Sequence, residues 1–305
     1  IKGMAYIFNV LTYDNIPYWF GAFISFGIVV IYVATSGVRG AAWSDVFQAI
    51  LMLVIAWILG MYFVQKLHGG IGNMFETINN SNNDFLLIGE EGSAMSKARY
   101  SSNIIISMIG FVMWPHLFTK SYTTTEKRIK TTVAVYPIFA LFLLPVLFIG
   151  FSGYGIVSSD QIENSGQILP YLITNYLTES GLLYGIVGAG ALAAAMSSSD
   201  AITHGASVSF GRDICKAIYS KIPENIELWI MRGAVFGVGG IAYLIAIFGS
   251  EGLIQLLLGA YGPIAQLAPA VYASLFFRKV SAMSIIIGLI LGVCVTIYFQ
   301  YFAES

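Results

Sequence analysis

The sequence predicts an all-helical protein embedded in a membrane, and three observations support this fold class. The 305 residues are 57% hydrophobic and only 10% charged, whereas soluble domains carry about 25% charged residues. Apolar segments of about 20 residues, the length that crosses a bilayer as a helix, recur along the chain. These segments lack the polar–apolar alternation of membrane β-strands. The net charge of -1 gives no indication of a nucleic-acid partner.

Eight segments are long and apolar enough to be predicted as membrane-spanning helices. They cover residues 17–36, 45–65, 103–120, 132–157, 181–211, 229–249, 252–277 and 281–303. Residues 1–12 look like the end of one more span. Because the chain begins at Ile1 with no signal peptide, we expect a fragment of one transmembrane domain that covers 1–305.

Two polar segments separate predicted helices. Residues 66–102 form the longest predicted loop, and its polar residues include Asn79, Asn80, Asn82, Asn83, Asp84, Glu90 and Glu91. Residues 158–180 carry Asp160, Glu163 and Glu179. Within this second loop, we predict a short surface helix at 166–178.

The lysines and arginines predict the orientation, since basic loops stay in the cytoplasm. If the spans alternate, eleven basic residues lie on one side: Arg39, Lys120, Lys127, Arg128, Lys130, Arg212, Lys216, Lys221, Arg232, Arg278 and Lys279. The other side has Lys2, Lys66, Lys97 and Arg99. We therefore expect a multi-pass protein of the cell membrane, with the first set in cytoplasmic loops and the C-terminus outside.

One polar stretch, AAAMSSSDAITHGAS, interrupts the apolar segment 181–211. An aspartate at the centre of a spanning helix costs roughly 2.5–3.5 kcal/mol. Helical spacing places four polar residues on one face: Ser197, Asp200, His204 and Ser207. Either the stretch joins helices through its hydroxyls and an Asp200–His204 pair, or serine oxygens and a carbonyl such as that of Ala194 bind a hard cation.

A second acid, Asp45, stands with Gln48 at the start of the predicted span 45–65. One interpretation is an acid in the first turn of a helix, where the helix dipole favours it. The other is a second intramembrane carboxylate that belongs to a functional site.

The span 103–120 contains Gly110 and Pro115, which favour local unwinding. They bracket Phe111 and Trp114, whose rings either cover a bound solute or belong to an ordinary kinked helix.

The span 252–277 carries Pro263 and Pro269, which predict a bend with freed backbone carbonyls. Its polar candidates for a solute pocket are Gln255, Tyr261 and Gln266.

Four stretches resemble the sodium:solute symporters, a family whose members carry solutes such as proline, pantothenate, sugars, sialic acid and monocarboxylates. GVRGAAWSDVFQ is similar to the family's glycine-rich turn and Ser/Thr-Asp-x-x-Gln helix start. AAAMSSSDAITHGASVSFGRDI resembles its small-x-Met-Ser-Ser helix, and APAVYASLFFRK resembles the end of its tenth core helix. WPHLFTK looks like a segment of the proline-carrier branch, so we expect the proline/pantothenate/monocarboxylate branch.

The resemblance implies a leucine-transporter-type bundle built from two inverted repeats of five helices. By this resemblance, 17–36 and 45–65 are core helices four and five. Core helices six to ten are 103–120, 132–157, 181–211, 229–249 and 252–277. The bundle would be incomplete, because core helices one, two and most of three would be missing. In such folds, solute and ion sites lie near the midplane, at broken helices.

The resemblance also implies site residues. The family's common sodium site corresponds to the Ala194 carbonyl and the Ser197 and Ser198 hydroxyls. The aspartate of a second sodium site corresponds to Asp45, but Asp200 and Ala201 stand where that site has hydroxyls. Asp45 and Asp200 are therefore candidates for a second cation or a coupling site, and Phe111 and Trp114 for the solute site.

These residues predict a sodium-coupled symporter that imports a small polar organic solute, such as proline or a small carboxylate, by alternating access. Its partners would be the solute, the lipid bilayer and the missing N-terminal helices of its own chain. No metalloenzyme motif such as H-E-x-x-H is present, so we do not expect an enzyme. The alternatives are proton coupling through Asp200 and His204, and a transporter-like sensor or channel subunit.

Overall fold

The computed structural model describes residues 1–81, 85–89, 96–122, 124–158, 160–162, 165–177, 181–250, 252–277 and 279–301. Within these ranges the regular structure is entirely helical, which agrees with the predicted class. In chain order the helices are α1 (Lys2–Leu11), α2 (Tyr18–His68), α3 (Ile71–Ser81), α4 (Lys97–Gly110), α5 (Pro115–Ser121), α6 (Glu126–Gly153), α7 (Ile168–Tyr176), α8 (Gly181–Val208), α9 (Lys216–Ile218), α10 (Glu224–Phe248), α11 (Leu253–Ala265), α12 (Leu267–Phe276) and α13 (Ala282–Tyr301). A π-helical segment, Ser209–Cys215, joins α8 to α9.

Seven helical segments within the described ranges are long and apolar enough to cross a membrane. They are Tyr18–Thr35, Ala42–His68, Glu126–Gly153, Tyr184–Ile218, Glu224–Phe248, Gln255–Phe276 and Ala282–Phe299. Together they give the chain the profile of a multi-pass membrane protein.

The predicted span 103–120 is absent from that set because its helix is broken. Helix α4 ends at Gly110, a 3-10 turn covers Phe111–Met113, and α5 begins at Pro115. Trp114 adopts φ -59° and ψ 122°, since a following proline disfavours the helical conformation of the residue before it. The unwinding expected from Gly110 and Pro115 is therefore present.

Helix α2 carries two predicted spans and bends sharply between them. The Tyr32 hydroxyl hydrogen-bonds to the Gly40 carbonyl (3.1 Å) and to Ser44 Oγ. In a straight helix, residues twelve positions apart are separated by about 18 Å, further than a tyrosine and a serine side chain can bridge. The expected turn at 37–44 is thus helical in its backbone. No proline lies between Pro17 and Pro115 to end the helix.

The two polar segments contain amphipathic helices. Within 66–102, α3 buries Met74 and Ile78, and within 158–180, α7 buries Leu172 and Ile173. The prediction of an uninterrupted loop over 66–102 was wrong, because apolar residues recur at helical spacing inside it. The predicted helix at 166–178 exists as α7. Seven of the polar residues that we assigned to these loops lie outside the described residues: Asn82, Asn83, Asp84, Glu90, Glu91, Glu163 and Glu179.

The helices form two compact units. The first comprises residues 1–81 and 124–250, and the second 82–123 and 251–305. In the second unit, α11 and α12 are interrupted at Gln266, between the two prolines that predicted a bend. Pro269 cannot donate a backbone hydrogen bond to residue 265, which explains a break at this point.

Two buried clusters hold the first unit together. The first cluster comprises Ile55, Leu59, Phe63, Ile149, Leu172, Ile173, Leu177 and Val187. The second cluster comprises Met4, Val29, Val30, Val33 and Val235. The part of α2 before its bend contributes to the second cluster and the part after it to the first, and we call these parts the first and second arms of α2.

Candidate functional site

The polar stretch predicted to bind a cation lies in the second half of α8, in the first unit. The residues around it are small or helix-favouring, so the helix continues through it from Gly181 to Val208. Ala195 and Met196 pack against the second cluster. The polar residues that follow are therefore held on a helix with a fixed rotation.

The predicted polar face of α8 is turned largely inward. The side chains of Asp200, Thr203 and Ser207 are buried, with Asp200 only 1% exposed. Ser197 is half-buried and Ser198 is exposed. A buried carboxylate at such a position is a functional-site candidate.

The hydroxyls of this face bond within their own helix. Ser197 Oγ donates to the Ala194 carbonyl (3.0 Å), and Ser207 Oγ donates to the His204 carbonyl (2.8 Å). The Ala201 amide donates to Asp200 Oδ1 (2.6 Å). Because a hydroxyl and a carbonyl oxygen each have further lone pairs, Ser197 and Ala194 keep acceptor capacity.

The second arm of α2 runs antiparallel to α8. Near its end, Lys66 Nζ and the Tyr62 hydroxyl donate to the Tyr176 carbonyl (2.8 and 2.9 Å), just before α8 begins. Further back along the arm, Ile55 packs on Gly190 so closely that a Cβ there would collide with Ile55 Cδ1. Moving back along α2 therefore corresponds to moving forward along α8.

This register brings the two predicted polar groups to the same level. Gln48 lies seven residues before Ile55, and Ser197 lies seven residues after Gly190. Because seven residues are two helical turns, Gln48 and Ser197 occupy the same faces as the contacting pair. Asp45 and Asp200 follow three residues further on their helices. This register therefore predicts that Asp45 and Gln48 lie at the level of α8 that holds Ser197 and Asp200.

The donors in this region suit an alkali cation better than a transition metal. Hydroxyl, carbonyl, amide and carboxylate oxygens are hard ligands. Within the described ranges, no group of three or more His, Cys, Asp and Glu side chains is arranged to hold a metal ion. Gln48 is buried, and its Oε1 atom has no hydrogen-bond partner. This oxygen can therefore accept a contact from a ligand.

The predicted solute residues lie in the second unit, around the break between α4 and α5. The Trp114 ring meets the Tyr261 ring edge-on, with centroids 5.6 Å apart, and it also contacts the His116 ring at 5.7 Å. A Cβ on Gly110 would lie 3.4 Å from the Tyr261 ring. The structure thus joins Trp114 to Tyr261 from α11.

The other polar candidates of 252–277 lie elsewhere. Gln266 Nε2 donates to Thr296 Oγ1 (3.3 Å) on α13. Gln255 is exposed in the first turn of α11. Of the three candidates, Tyr261 is the one in contact with a predicted solute residue.

Glu227, which our sequence analysis did not single out, forms a charged cluster after α8. Its carboxylate accepts from Arg212 Nε (3.0 Å) and Lys216 Nζ (2.7 Å), and its side chain is only 4% exposed. A cavity of about 450 Å³ adjoins this cluster. The four-residue spacing of the two basic residues, with an acid in the first turn of the next helix, was the available signal.

A family model agrees with the resemblance that the sequence indicated. Residues 5–292 match the model described as "Sodium:solute symporter family". The chain is 30% identical to the uncharacterized symporter YhjB of Bacillus subtilis (strain 168) over 303 residues, which cover 98% of this chain and 60% of YhjB. It is 23% identical to the sodium/sialic acid symporter NanT of Aliivibrio fischeri, with 89% of this chain and 56% of NanT covered.

A solved structure shares the fold. The chain superposes on the substrate-bound, outward-open state of a Na+-coupled sialic acid symporter with a TM-score of 0.68 at 19% identity, over 99% of this chain and 67% of that one. Another relative, the human high affinity choline transporter 1, is 24% identical over 72% of this chain and 39% of its own length. The chain thus spans little more than half the length of YhjB and NanT.

These relatives differ in the solutes that their names give, so the proline/pantothenate/monocarboxylate branch stays a prediction. The family and the solved neighbour are transporters rather than enzymes, as we expected. The match over residues 5–292 establishes that this chain belongs to the sodium:solute symporter family.

Proposed function

We propose that the protein carrying this chain is a sodium-coupled symporter of a small polar organic solute that works by alternating access. The observation that carries the proposal is the polar stretch of α8, in which Asp200 is buried and Ser197 is half-buried. Sodium coupling in the sialic acid relatives supports this choice of ion.

The proposed sodium ligands on this chain are the Ala194 carbonyl and the Ser197 and Ser198 hydroxyls. Ser197 Oγ donates to the Ala194 carbonyl within the helix (3.0 Å), so these two oxygens lie side by side. Asp45 and Asp200 would form a second cation site or a coupling site. The exposed position of Ser198 leaves its side of α8 open to ligands from elsewhere in the protein.

We further propose a leucine-transporter-type bundle of five plus five helices, of which this chain is a part. The solved neighbour shares the fold over 99% of this chain with a TM-score of 0.68, which supports a bundle of this kind. Half-helices that expose backbone groups at the midplane are typical of such bundles, and the break at Phe111–Trp114 provides one.

Phe111 and Trp114 would line the solute site, with Tyr261 against Trp114. The relatives' names include sialic acid, choline and monocarboxylate, which differ in charge and size. An amino acid such as proline, or a small carboxylate, remains the proposed solute.

The protein would lie in the cell membrane with its basic loops in the cytoplasm. The reversal of α2 between its arms supports the alternation of spans on which that orientation depends. Of the basic residues counted, Arg212 and Lys216 share Glu227, which reduces their net contribution, and Arg278 lies outside the described residues.

The test is uptake by the full-length protein in proteoliposomes, screened against labelled amino acids, short carboxylates and sugars. We expect saturable uptake that needs an inward sodium gradient, and Ser198→Ala should raise the half-saturating sodium concentration. Uptake that follows a pH gradient without sodium would support proton coupling through Asp200 and His204 instead. Linear, unsaturable flux would indicate a channel.

A further inference from the structure

Gln48 is a buried polar residue with an unmatched oxygen. Its side chain is 7% exposed, and Oε1 has no hydrogen-bond partner. Buried amide oxygens are nearly always paired, because leaving one unpaired is costly. An oxygen that the fold leaves unmatched is therefore available to a ligand.

The direction of Gln48 follows from the packing of its helix. Residues 48, 55 and 59 of α2 are buried, while most of the residues between them are exposed, so these three form one inward stripe. Ile55 on this stripe contacts Gly190 of α8. Gln48 therefore faces α8 two turns further along, opposite Ser197.

The surroundings of Gln48 are rich in oxygen. Ser197 Oγ and the Ala194 carbonyl lie on the facing helix, 3.0 Å apart. Asp45 lies one turn away on the helix of Gln48 itself. A neutral amide oxygen can replace one water of a sodium ion's shell, as backbone carbonyls do, without adding the strong attraction of another full charge.

We propose that Gln48 Oε1 is a direct ligand of the cation that Ser197 and Ala194 bind, an inference that rests on the proposed function. The oxygen would complete the site from the second arm of α2. Gln48 thereby joins that arm to α8 only when the ion is present.

The experiment measures ion binding rather than transport, so it does not depend on knowing the solute. The purified full-length protein is melted at increasing NaCl, with KCl keeping the ionic strength constant. The half-saturating sodium concentration, which is the dissociation constant, is obtained by fitting the logarithmic rise in stability with sodium. Gln48→Leu keeps the approximate volume but removes the oxygen. Gln65→Leu, at an exposed position of the same arm, is the matched control.

We expect Gln48→Leu to raise the half-saturating sodium concentration roughly tenfold, since a lost contact to a charged group has about this effect. The control should leave it unchanged. A merely structural role would lower the Tm at every sodium concentration without moving the half-saturation point, and that result would overturn the proposal.

A second variant covers the case in which Gln48→Leu does not fold. Gln48→Glu keeps an oxygen and adds a negative charge, so the half-saturating sodium concentration should fall at a pH where the carboxylate is ionised. An unchanged value overturns the assignment of Gln48 alone. A wild-type protein whose Tm ignores sodium, and whose uptake also does, overturns the sodium proposal itself.

Discussion

Two regions, one after α8 and one along it, bury polar groups in different ways. After α8, the Glu227 carboxylate is enclosed by Arg212 and Lys216, and both of its oxygens have a cationic partner. In the second half of α8, the polar groups are the Ser197 hydroxyl and the Asp200 carboxylate, to which we add the Gln48 oxygen of α2 that has no hydrogen-bond partner. We call the first the closed cluster and the second the open cluster.

The difference distinguishes polar groups that are satisfied within the fold from polar groups that have capacity left for a ligand. A buried charge with its counter-charges in place is satisfied by the fold and has no need of a ligand. A buried polar oxygen with acceptor capacity left over is satisfied only when a cation or water arrives. The closed cluster therefore joins the segment after α8 to α10, whereas the open cluster is where we propose that sodium binds.

The largest effect is expected at the closed cluster. Glu227→Gln leaves Arg212 and Lys216 without a counter-charge, and we expect the Tm of the purified protein to fall by several degrees. Glu224→Gln, in the same first turn of α10 but exposed, should have little effect on Tm. The sodium dependence of the protein that remains folded should be normal, and a shift in it would mean that the two clusters are coupled.

A smaller effect, on affinity rather than stability, is expected at the open cluster. Ser197→Ala removes a proposed ligand and should raise the half-saturating sodium concentration for uptake roughly tenfold. Ser199→Ala provides the control, because Ser199 Oγ bonds to the Ala195 carbonyl in the same way (3.0 Å) but lies outside the proposed site. Equal shifts in the two variants would show that the hydroxyls act through the helix and not on the ion.

The smallest effect is expected at Ser207, two turns beyond Asp200 and outside the open cluster. Ser207 is buried, but its hydroxyl is already bonded to the His204 carbonyl (2.8 Å). Ser207→Ala should change the free energy of unfolding by less than about 1 kcal/mol, measured by denaturant titration. Sodium affinity should not change, and a clear loss would extend the open cluster to this residue.

The helical class and the polar face of α8 could be predicted from the sequence, because both depend on local patterns. Apolar length predicted the spans, the prolines at 115 and 269 predicted broken helices, and the spacing of Ser197, Asp200 and Ser207 predicted an inward face. Each of these follows from the backbone geometry of one helix. The family match then confirmed the resemblance that four short stretches indicated.

Pairings between helices could not be read in the same way. The alignment of Gln48 with Ser197 depends on how α2 reverses and where Ile55 meets Gly190, and neither is a property of one segment. Glu227 was overlooked because its partners are eleven and fifteen residues away and had been counted as loop charges. The amphipathic helix α3 was hidden by its polar surroundings, whereas helix α7 was predicted.

The bend of α2 has a mechanical consequence for α8. The first arm belongs to the cluster against which Leu192, Ala195 and Met196 pack, while the second arm meets α8 at Gly190. The two arms belong to one helix, which bends where Tyr32 reaches Gly40 and Ser44. Helix α8 therefore contacts both arms of a single bent helix. A tilt of α8 toward one arm would move it away from the other.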